Sequence, residues 1–133
     1  MIDVEAVIFN TIATAFDNAY PGGSRYSEEN VSPARFPCLT LIETDNYTYE
    51  RSLDTALIEH DAWLTYEVNV YSNKSFGAKQ ECKAVISLVD EQMQHLGFTR
   101  TFCSQTKNAD QKIYRMTARY RAVISEKYRI YRS

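Results

Sequence analysis

The chain has 133 residues, 44% hydrophobic and 13% aromatic with ten Tyr, a length that suits one domain and an aromatic share that counts against a disordered chain. No apolar run could span a bilayer, and the start, Met1 to Tyr20, is acidic (Asp3, Glu5, Asp17) where a secretory leader would be basic and continuously apolar. The net charge of −2 hides a polarity: residues 1–61 carry eleven acids against three bases, residues 62–111 five of each, and residues 112–133 one acid against seven bases.

Residues 2–19 predict an amphipathic helix, with Val4, Val7, Ile8, Ile12, Ala15 and Phe16 at helical spacing and Asp3 and Glu5 in the first turn, where negative charge is favoured. Tyr20-Pro21-Gly22-Gly23-Ser24 stops it, and 24–35 reads as an irregular polar connection. Phe36–Thr44 predicts a strand, with Leu39 and Leu41 on one side and Thr40 and Ile42 on the other. The stretch 45–61 reads as a long loop mixing carboxylates with Tyr47, Tyr49, Leu53 and Leu57; long loops in small domains are usually functional or disordered.

Ala62–Ser72 is the clearest strand, Leu64, Tyr66, Val68 and Val70 alternating with Trp63, Thr65, Glu67, Asn69 and Tyr71. Ser75 is placed to cap a helix from about Phe76 to Leu96, whose stripe is Ala78, Cys82, Val85, Ile86, Val89, Met93 and Leu96, and Gly97 is a good left-handed stop. Phe98–Gln105 is a further strand, 106–111 a polar turn, and Lys112–Ser125 the last long strand. On that strand Tyr114, Met116, Ala118, Tyr120, Ala122 and Ile124 face one way, and Arg115, Thr117, Arg119 and Arg121 the other. Residues 126–133 read as a tail.

The order α-β-β-α-β-β predicts a single α+β domain over residues 1–133. It is a two-layer sandwich: a mainly antiparallel four-stranded sheet with both helices on one face. The other face, with Trp63, Thr65, Glu67, Tyr71, Arg115, Arg119 and Arg121, is a candidate interface.

Chemistry is harder to find. Cys38, Cys82 and Cys103 are odd in number and far apart, which speaks against a disulfide framework or metal site and for buried thiols in a reducing compartment. His60 sits in a loop and His95 near a helix end, where a cation complements the dipole. No Gly-rich phosphate loop follows a strand. The expectation is therefore no enzyme, no cofactor and no metal. The sequons at Asn30, Asn46 and Asn73 read as chance without a secretory signal.

The Arg stripe has three readings: a solvated face bridging to Glu67, a protein interface where Arg is enriched, or a sheet-based nucleic-acid site. The acidic pI of 5.7 counts against the third. The opposite-sign ends suit copies meeting head to tail; they equally suit neighbours within one fold.

Over nearly its whole length the chain resembles the tail-terminator (tail-completion) and minor-capsid proteins of tailed bacteriophages. The resemblance rests on "IFNTIATAF", "RFPCLTLIETDN", "WLTYEVNVYSN", "KQECKAVISLVDEQMQHLGFTRT" and "YRMTARYRAVIS". It implies a virion protein of the tail or neck, assembled in the bacterial host cytoplasm. Such a protein forms a hexameric ring that caps the tail tube, stops its polymerisation and joins it to the head-side connector or stopper. Its partners are then itself, the tail tube protein, that connector, and genomic DNA passing through the lumen without specific binding.

Ring closure needs a heterologous contact. The candidates are acidic Glu43, Asp45, Glu50, Asp54, Glu59 and Asp61 on one copy and Trp63, Arg115, Arg119 and Arg121 on the next, with Tyr47, Tyr49, Leu53 and Leu57 facing the lumen or a partner. Reversing Arg119 or Arg121 to Glu is then expected to weaken the ring. The alternative from another class is a small dimeric α+β nucleic-acid-binding or regulatory module, whose affinity would collapse with salt.

Overall fold

A computed structural model describes residues 4–27, 35–48, 61–106, 112–125 and 130–131. Helix α1 covers Glu5–Ala19 and α2 covers Ala78–His95. The strands are β1 Ser24–Tyr26, β2 Cys38–Thr48, β3 Asp61–Ser72, β4 Thr99–Thr106, β5 Tyr114–Ser125 and β6 Ile130–Tyr131. The class is α+β, as expected, but the sheet is larger and mixed. Five strands lie side by side in the order β1-β2-β3-β5-β4, β6 adds to the edge of β5, and β1 pairs parallel to β2.

Beyond shifts of one or two residues at element ends, three segments differ from the sequence expectation. The supposed irregular connection contains β1, the supposed loop from 45 begins as four more residues of β2 and ends in β3 at Asp61, and the supposed tail contains β6. The first and last are three- and two-residue pairings fixed by a neighbouring strand, so they leave no periodicity of their own.

Register puts the apolar residues on one face. Leu39 and Leu41 stand opposite Val70 and Val68, and across the next ladder Leu64, Tyr66, Val68 and Val70 stand opposite Ala122, Tyr120, Ala118 and Met116. Helix α2 buries Cys82, Val85, Ile86, Val89 and Met93 against this face, and α1 buries Ile8, Ile12 and Phe16 in the same core. The α1 stripe is turned slightly from the expected one: Ala13 is buried, while Val7 is 62% exposed.

Helix ends follow their local chemistry. Tyr20 N–H donates to Phe16 O at 2.7 Å before Pro21 ends α1. Gly23 then passes so close to α1 that a Cβ there would lie 2.7 Å from Pro37 O and 2.8 Å from the Phe16 ring, which is why glycine stands at this turn. The peptide bond Phe36–Pro37 is cis. Helix α2 starts after Gly77 at φ +80°, without a side-chain cap, so Ser75 does not play the expected role. It ends in a Schellman motif: Phe98 N–H donates to Met93 O at 2.8 Å, Gly97 N–H to Gln94 O at 3.0 Å, and Gly97 is left-handed as expected.

Candidate functional site

The sheet face turned away from the helices carries an ordered ladder of polar and aromatic side chains. Strands β3 and β5 place Tyr71 opposite Arg115, Asn69 opposite Thr117, and Glu67 opposite Arg119, and β4 places Phe102 opposite Arg119. Directly opposed residues on a sheet face touch, and here each of these rungs carries a hydrogen bond or an arginine–ring contact. Arg119 Nε donates to Glu67 Oε1 at 3.1 Å and its guanidinium lies 4.9 Å from the centre of the Phe102 ring. Arg115 Nε donates to Asn69 Oδ1 at 3.0 Å and sits 5.6 Å from the Tyr71 ring. Arg121 stacks on the diagonal Trp63 at 3.8 Å.

Asn69 is the node of the network. Its Oδ1 also accepts from Thr117 Oγ1 at 2.6 Å, its Nδ2 donates to Glu67 Oε2 at 3.2 Å, and Thr106 Oγ1 donates to Thr117 Oγ1 at 2.7 Å. The arginines are thus pre-oriented by partners in their own chain, so the bridge from the Arg stripe to Glu67 is real.

Only part of this face is open. Cys38, Thr40, Asn69, Tyr71 and Thr117 are buried, whereas Trp63, Thr65, Glu67 and Arg121 are half-buried and Arg119 exposed. The accessible surface is therefore the end of the sheet around Trp63, Thr65, Arg119 and Arg121.

The structure divides the acidic candidates. A bulge between Glu43 and Asp45 changes the face of β2: Glu43 pairs with Tyr66 on the helix side, and Asp45 pairs with Thr65 on the open side. The Tyr66 hydroxyl donates to Glu43 Oε1 at 3.0 Å, so Glu43 is a core-side group, while Asp45 is exposed beside the open end. The backbones of Asp61 and Tyr47 lie in β3 and β2, pairing with Ser125 and Trp63. Tyr49, Glu50, Leu53, Asp54, Leu57, Glu59 and His60 lie outside the described residues. Asn69, Thr117 and Phe102 were absent from the sequence candidates. Alternation places the first two on this face, but the bulge between Arg100 and Phe102 hides the third.

Cys38 and Cys82 are buried as expected, but Cys103 is exposed. Burial, with a smaller push from Glu81, raises the Cys82 thiol to about 12. Burial also raises the Cys38 thiol, against a hydrogen bond with Ser24. The Tyr120 phenol is raised by burial and by Asp90, whose Oδ1 accepts its hydroxyl at 3.0 Å. The unfolded chain ionises these groups at about 9 and 10, the folded chain only higher, so the neutral forms stabilise the fold below pH 9. Stability is expected to fall as pH rises from 9 towards 12, and Cys82→Ala to flatten that fall. Urea midpoints across this range check it; a midpoint indifferent to alkali contradicts it.

Among the described residues no group of three or more His, Cys, Asp or Glu is placed to hold a metal, and no helix is long and apolar enough to cross a membrane. His95 lies exposed in the last turn of α2. No protein-family model and no curated protein matches the chain.

Proposed function

We propose that this chain is a structural virion subunit that assembles into a ring, hexameric on the resemblance to phage tail terminators, capping a tail tube and joining it to the head-side connector. The reading gives it no enzymatic step and no cofactor. The observation that carries it is the open end of the sheet, where Arg119 and Arg121 are held against Phe102 and Trp63. Aromatic residues and Arg are what assembly surfaces concentrate, and ordering them before contact lowers the entropy cost of association. Asp45, exposed at the same end, supplies a carboxylate for a neighbour's arginine.

The internal pairing of Arg119 with Glu67 and of Arg115 with Asn69 favours protein contact over phosphate binding, since those cations are already engaged. Negative-stain electron microscopy of the purified chain tests the reading. Closed rings with a central hole are expected at physiological salt and should persist at high salt. Featureless single particles, or order appearing only with added nucleic acid, would sink it.

A further inference from the structure

The two edges of the sheet differ. One is β1, three residues long; the other is β4, eight residues long, and among the described residues β4 pairs only with β5. Natural edges are usually blunted by Pro, Lys, short length or covering elements. The β4 sequence TRTFCSQT has neither Pro nor Lys, its one charge is Arg100, and its first seven residues are exposed. Its bulge lies near its start, so Phe102–Thr106 runs regularly against β5, and alternate N–H and C=O groups there point away from the sheet.

The helix layer does not close over this strand. Between α2 and β4 lies a groove of about 450 Å³ whose lining includes Lys79, Lys83, Arg100, Cys103 and Gln105 and, among the described residues, no carboxylate. Arg100 is engaged by Asp90 at 3.4 Å, but Lys79 and Lys83, one helical turn apart and exposed, have no acidic partner among the described residues.

We propose that the β4 edge accepts an added strand from an acidic polypeptide, whose backbone pairs with Phe102–Thr106 and whose alternate carboxylates reach into the groove to Lys79 and Lys83. Strand addition takes affinity from main-chain bonds and selectivity from every second side chain, and the groove lies on only one side of the edge. The occupant is therefore an extended segment with acids at period two. A nucleic acid would use the lysines and leave the edge groups unpaired. The proposal holds whether or not the chain forms a ring.

The test uses fluorescence anisotropy with a short labelled peptide alternating Glu with Thr or Val. Saturable binding is expected. It should weaken about tenfold when Glu becomes Gln, and about tenfold in the Lys79→Glu, Lys83→Glu double variant. It should vanish when alternate peptide nitrogens are methylated. Both lysines are exposed, so the variant should keep the parent's circular dichroism. An N-methylated peptide that binds as well as its parent would reduce the contact to charge alone and overturn the proposal. So would a double variant of unchanged affinity, or a Glu peptide that fails to saturate.

Discussion

Phe16→Ala is expected to lower the folding free energy by about 3–5 kcal/mol, the usual range for removing a buried aromatic ring. Phe16 is fully buried, packs 5.5 Å from the Tyr20 ring, and closes the end of α1 over the sheet. Its ring also fills the space beside Gly23, so its loss undoes both the helix end and the turn leading into β1. Collapse to fill the gap is hindered, because the turn is fixed by Gly23 N–H donating to Tyr20 O and Ser24 N–H to Pro37 O. Val7→Ala on the same helix is the control: at 62% exposure it should change little. Urea unfolding of the pair decides the matter, and equal losses would mean that α1 does not dock as described.

Asn69→Ala is expected to cost about 1–3 kcal/mol, although it removes no apolar burial, because buried polar groups lose their partners. Thr117 Oγ1 and Arg115 Nε would both lose their acceptor, and Glu67 Oε2 its donor. Thr117→Val in the same background removes one orphan and should recover part of the loss. A double-mutant cycle in urea measures that coupling. Strict additivity of the two substitutions would show that the network carries no energy as a unit.

The long elements were legible because each spans several periods of its pattern. α2 runs eighteen residues and β3 and β5 twelve each, so the burial pattern repeats often enough to fix a face. Arg115, Arg119 and Arg121 could be assigned to the open side for the same reason. What alternation could not supply was anything that depends on a bulge or a partner strand. Glu43 and Asp45 look like one acidic cluster in sequence, yet one extra residue at Thr44 sends them to opposite faces of the sheet. Phe102 was hidden by the bulge in β4. β1 exists because Ser24–Tyr26 lies beside Cys38–Thr40, not because three residues prefer a strand. Cys103 looked like a buried thiol because cysteines usually are; it faces the groove that α2 leaves uncovered.

The helix layer buries the core against one face of the sheet, and the proposed ring contact is assigned to the open end of the other face. Arg121 is the better probe of that contact, since a reversed Arg119 would also face Glu67 in its own chain. The most direct measurement is the solution mass of the chain and of its Arg121→Glu variant by light scattering across a concentration series. The proposed hexamer predicts a parent species approaching six times the 15.4 kDa chain and a variant shifted towards 15.4 kDa. A parent that stays at the single-chain mass at every concentration, or a variant that keeps the parent's mass, would contradict it.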